Sequence, residues 1–98
     1  MKSQEAIRII RQCISTERYR LLRHFSERMD ERGVFWPDIQ AVIDHPKSVR
    51  DAGVDQYDRP RWLVAGKTTD LLNLEMVVVI DHDDDGNLVL LITIYYED

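Results

Sequence analysis

The sequence predicts one α+β domain over residues 1–98, helices first and strands after. Three observations carry this. Apolar residues recur at helical spacing only before Pro46. Val, Ile and Tyr concentrate in short runs after it, and Asp85-Gly86, a hairpin signal, separates the two strongest of those runs. A hydrophobic fraction of 44% with two tryptophans suffices for one buried core.

The first helix is expected from Ser3, as its cap, to about Ile14. Ile7, Ile10 and Ile14 form its apolar stripe, with Ala6 and Cys13 adjoining. Cys13 reads as a small core residue and not a nucleophile, since no base neighbours it in sequence. Ser15-Thr16 break the helix. Tyr19–Leu22 reads either as a brief extended piece or as the lead-in to the second helix.

His24–Pro46 makes a helical corner. Phe25 and Met29, four apart, share one face, and His24, Arg28 and Arg32 form a second row beside it. Gly33 stands where the helix needs a left-handed stop. Pro37 suits the first position of a new helix, and Asp38 favours that positive end. Ile39, Val42 and Ile43 carry the buried face. His45-Pro46 ends the helix, because a residue before proline avoids the helical region.

After Pro46 the period changes to that of strands. Ser48–Val54 is an edge strand with a Gly53 irregularity, Asp55–Pro60 a polar loop, Arg61–Lys67 a strand, and Thr68–Asp70 a turn. Leu74–Asp81 and Leu88–Tyr96 are the clearest strands. The expectation is a small antiparallel sheet of three to four strands, with the N-terminal helices packed on one face. Alternation in the last strand puts Leu88, Leu90, Ile92 and Ile94 beneath the helices. Val89, Leu91, Thr93 and Tyr95 then share the open face with Arg61 and Lys67, while Glu75 opens its strand.

Charge is uneven. The net value is −5, but residues 1–32 carry +3 and residues 33–98 carry −8. A polyanion would have to meet a local basic surface. The single cysteine allows no internal disulfide and fits a reducing compartment. MKSQEAIRIIRQC lacks the apolar run of a secretory signal, and no run approaches bilayer length. A cytoplasmic location and no membrane partner are expected.

No cofactor is expected either. Asp81, Asp83, Asp85 and Gly86 match the opening of a calcium loop, but its twelfth position falls on Ile92 and strands flank it, so a charged hairpin tip is expected. His24, His45, His82 and Cys13 lack zinc-ligand spacing. There is no glycine-rich phosphate loop and no Ser-His-Asp order.

The pattern His24-x-x-x-Arg28-x-x-x-Arg32-Gly33-Val34, followed by Asp38-Ile39, Val42-Ile43 and Pro46, resembles a bacterial family of domains of unknown function. That family is similar to the BrnT and RelE/ParE toxins. Arg61-Trp62 and the terminal Thr93-x-Tyr95 suit the same pattern, which covers about residues 15 to 97. Trp36 departs from it, standing where a small polar cap would more usually enter the helix. The resemblance implies a RelE/ParE-like fold and a toxin of a toxin–antitoxin pair. Its activity would be metal-independent cleavage of mRNA through attack of the 2′-hydroxyl on the adjacent phosphate. His24, Arg61 and Tyr95 are then the catalytic candidates, and Arg28, Arg32 and Lys67 the RNA-binding ones. Cations stabilise the charge that develops on phosphorus, and a histidine ordinarily titrates near neutrality. The implied partners are RNA and a cognate antitoxin, with no DNA contact by this chain alone. The competing reading, favoured by the acidic balance, is a non-catalytic protein-interaction module.

Overall fold

A computed structural model describes residues 1–97. Its elements run α1 (Ser3–Ser15), β1 (Tyr19–Leu21), α2 (Arg23–Arg32), α3 (Trp36–Asp44), β2 (Pro46–Val54), β3 (Pro60–Lys67), β4 (Asn73–Asp83) and β5 (Gly86–Tyr96). The strands form one sheet in the order β1-β5-β4-β3-β2. All three helices contribute to a single apolar core on one face of it.

The sheet corrects the expectation of three to four antiparallel strands. It has five, and it is mixed, because β1 runs parallel to β5 with Tyr19 opposite Val89 and Leu21 opposite Leu91. Three residues are too few to show a strand period, so tertiary pairing decides their conformation. The Val89 N–H donates to the Arg18 carbonyl at 3.0 Å, and the Leu22 N–H to the Leu91 carbonyl at 3.1 Å. Trp36 stacks on Tyr19 with ring centroids 5.1 Å apart, joining α3 to β1. That contact accounts for an aromatic at this point, and Trp36 is the first helical residue of α3, not its cap.

The helix ends differ from expectation by single residues. Ser3 is the first helical residue of α1, not its cap; Lys2 precedes it and no side chain caps the end. Gly33 terminates α2 at φ 65° and ψ 36°, with the Val34 N–H returning to the Met29 carbonyl at 2.9 Å. Phe35 is the N-cap of α3, so Pro37 falls at the second helical position. Arg11 of α1 closes the other end of α3. Its Nε donates to the Ile43 carbonyl and an Nη to the Asp44 carbonyl, both at 3.0 Å, placing a cation on the negative end of the helix.

The core lies between helices and sheet. Ala6, Ile7, Ile9, Ile10 and Cys13 of α1, Phe25 of α2, and Ile39, Val42 and Ile43 of α3 meet alternate residues of the strands. Trp62 and Val64 supply β3; Leu74, Met76, Val78 and Ile80 supply β4. In β5 the simple alternation fails. Val77 pairs with Thr93 and Val78 with Leu91, so Ile92 is an extra residue with no partner on β4. This bulge inverts the face assignment N-terminal to it. Val89 and Leu91 face the helices, not Leu88 and Leu90 as alternation predicts, whereas Ile94 enters the core as expected.

Candidate functional site

No helix covers the second sheet face. Glu75, Val77, Val79 and Asp81 of β4 face that way by alternation with the core positions, as do Arg61, Leu63, Ala65 and Lys67 of β3. Register aligns Ser48, Ala65, Glu75 and Tyr95 in one row across four strands.

Glu75 is the conspicuous member, being only 4% exposed on a face without a packed layer. A sheltered carboxylate is costly unless paired and hydrogen-bonded. Arg50, one row away opposite Leu63, forms an ion pair with it, and keeps its own side chain 57% exposed. Tyr95 stands directly across from Glu75 on β5. Hydrogen bonding towards Glu75, then burial, pushes the Tyr95 phenol up to about 12. At neutral pH this phenol is protonated and can donate a hydrogen bond. Lys67, one step beyond Ala65 on the same face, donates to the Asn73 side-chain oxygen at 3.0 Å.

Two groups therefore emerge from the sequence candidates. Tyr95 and Lys67 sit around Glu75. Arg61 shares their face, but its partner Val79 lies four residues from Glu75, roughly 13 Å along the strand. Its Nε donates to the Ala52 carbonyl at 3.1 Å. His24, Arg28 and Arg32 lie on α2, on the helix side, so the sheet separates them from Tyr95. His24 and Arg32 are exposed and Arg28 half-buried. Glu27 of the same helix pairs with Arg23 at 2.7 Å.

Sequence reasoning missed Arg50. It noted Glu75 only as a strand start, although an acid amid Leu74, Met76 and Val77 is itself a signal. The pairing joins side chains from β2 and β4, across β3, and depends on a register shift between Pro46 and Ser48 that no local pattern announces.

The acidic hairpin is occupied by arginines. Arg59 reaches Asp55 at 2.7 Å and Asp81 at 3.0 Å, and Arg18 pairs with Asp83. The Arg18 guanidinium holds the Asp83 carboxyl below the usual carboxylate range; for Asp81 the His82 N–H contributes most, with Arg59 adding to it. Among the described residues no group of three or more His, Cys, Asp or Glu is placed to hold a metal. Cys13 is 3% exposed and burial pushes its thiol up, partly opposed by Arg18, as for an inert core residue. Among the same residues no helix is long and apolar enough to cross a membrane.

These features define a small α+β domain with helices on one sheet face and a charged, uncovered second face. The chain belongs to the family described as "Domain of unknown function (DUF4258)", whose model matches residues 21–96 and so begins after α1. No curated protein and no solved structure matches the chain.

Proposed function

We propose that this chain is the toxin of a bacterial toxin–antitoxin pair, an endoribonuclease that cuts mRNA without a metal and uses the uncovered sheet face. The similarity of its residue pattern to the BrnT and RelE/ParE toxins suggests this reading. The single observation that carries it is the grouping of Glu75, Tyr95 and Arg50 on that face. A base, an acid and a cation are what 2′-hydroxyl attack requires.

In this mechanism the 2′-hydroxyl loses its proton to the Glu75 carboxylate while its oxygen bonds to phosphorus. The bond from phosphorus to the 5′-oxygen breaks, and the Tyr95 phenol gives that oxygen a proton. The products are a 2′,3′-cyclic phosphate and a 5′-hydroxyl. Arg50 turns from Glu75 to the phosphorane, with Lys67 beside it. Arg61 holds a phosphate further along the strand, and His24, Arg28 and Arg32 serve a second contact around the sheet edge. Induced expression in a bacterium tests this: growth arrest with transcript cleavage is expected, and normal growth with intact transcripts contradicts it.

One observation favours a second reading, a non-catalytic protein-interaction module. His24 does not meet Tyr95 or Arg61, so no histidine joins the group on the uncovered face. Under that reading neither growth nor RNA changes.

A further inference from the structure

A cavity of about 250 Å³ lies between α1 and the turn that joins β4 to β5. At about 30 Å³ per water it has room for roughly eight, less than the about 300–1,000 Å³ of a drug-sized pocket. An occupant would be a small molecule. Arg8 and Gln12 of α1 stand on one wall, with Asp85 of the turn and Asn87 of β5 on the other. Ile9 and Cys13 also border the cavity, but at 8% and 3% exposure they offer it little apolar surface. Recognition here has to be polar.

The polar groups differ in what they already hold. Arg18, at the same rim, pairs with Asp83 and donates to the carbonyls of Gly86 and Asn87. Gln12 and Asn87 engage only their backbone carbonyls, towards Ser15, Thr16 and Arg18, and among the described residues their side-chain amides hold no partner. Among the same residues Arg8 and Asp85 form no ion pair, although they border one cavity. An anion held by Arg8 alone would face Asp85, and a cation held by Asp85 alone would face Arg8. A ligand carrying both signs meets both charges.

We propose that this cavity binds a free α-amino acid with a polar side chain. Arg8 takes the α-carboxylate with its forked N–H groups, and Asp85 takes the α-ammonium. Gln12 and Asn87, each offering a carbonyl oxygen and an NH2 group, take the ligand's side-chain amide. One unpaired positive and one unpaired negative wall group thus match a zwitterion. α1, which builds one wall, precedes the matched residues 21–96, so the site lies partly outside the family domain. None of the four residues acts in the proposed RNA cleavage, and the binding holds whether or not the chain cuts RNA.

The test titrates the isotope-labelled whole chain with L-glutamine and follows backbone amide shifts. A ligand this small binds weakly, so shifts around Arg8, Gln12, Asp85 and Asn87 should saturate by about 10 mM. L-glutaminamide lacks the carboxylate and N-acetyl-L-glutamine lacks the ammonium; each should bind about tenfold more weakly. L-leucine, which offers the two amides nothing, should also bind more weakly, and inorganic phosphate should not compete. Arg8→Gln should weaken L-glutamine to the level of glutaminamide, and Asp85→Asn to that of the N-acetyl form. Both positions are exposed, and circular dichroism verifies both folds. The proposal is overturned if L-glutamine gives no saturable shift, or shifts centred away from the cavity. It is equally overturned if a blocked form, L-leucine or phosphate binds there as tightly, or if either variant binds L-glutamine as wild type does.

Discussion

The Asp38 carboxylate accepts a hydrogen bond from the Thr69 hydroxyl at 2.7 Å, joining the first turn of α3 to the β3–β4 loop. The same carboxylate accepts from the Thr69 N–H at 3.1 Å and from the Phe35 N–H at 3.0 Å. One side chain, 7% exposed, thus satisfies an orphan donor at the helix start and pins a loop.

Removing that carboxylate should cost more than removing an exposed one. Burial opposes its ionisation, but the hydrogen bonds from Thr69 and Phe35 outweigh it and hold its pKa below the ordinary 3.8. A depressed carboxylate contributes stability that is complete above its unfolded pKa and is lost as pH falls through the folded one. Asp38→Ala should lower unfolding free energy by about 2–3 kcal/mol at pH 7. The gap to wild type should shrink as pH falls below 4, as measured by urea denaturation.

Gly33 provides a backbone test. A Cβ there would meet nothing within 4 Å, so any cost of substitution comes from its φ of +65°. Gly33→Val should destabilise by about 1–2 kcal/mol, and Gly33→Asn by less, because asparagine tolerates the left-handed region. Equal midpoints for wild type and Gly33→Val in chemical denaturation would contradict this.

Gly66 tests the opposite cause. Its φ is ordinary, but a Cβ would lie 3.3 Å from the His45 carbonyl oxygen and from a Val42 methyl. Here the backbone of β3 packs directly against α3, and Gly66→Ala should cost about 1–3 kcal/mol through overpacking. Thermal unfolding of this variant should fall below that of wild type.

The bulge at Ile92 separates two residues of β5 that alternation treats alike. Ile94 is 1% exposed in the core, whereas Leu88 is half-buried on the uncovered face. Ile94→Ala should cost about 2–5 kcal/mol, and Leu88→Ala distinctly less. Similar losses for the two would place them on one face and remove the bulge.

Legibility of the sequence follows the range of the forces involved. The helical corner, the Gly33 stop, the buried Ile39, Val42 and Ile43, and the four long strands depend on local spacing, and the sequence reading found them. Over β1 the sequence leaves a brief extended piece and a helix lead-in both open, because its three residues acquire strand geometry only from β5. The faces of β5 were misassigned before Ile92, since one extra residue leaves composition unchanged and inverts every side chain on one side of it. At the candidate site Tyr95 and Lys67 were legible by alternation. Arg50 was not, because its partner is two strands away and its pairing is a property of register.

Single-turnover cleavage of a labelled single-stranded RNA, with no divalent metal added, tests the ribonuclease reading most directly. Wild type should cut the RNA, with a chelator having no effect. Glu75→Gln and Tyr95→Phe should each lower the rate by about 10²–10³, while His24→Gln, on the other side of the sheet, should lower it far less. Folded wild type that leaves the RNA intact contradicts the reading. Equal rates in Glu75→Gln, Tyr95→Phe and wild type contradict the assignment of the site.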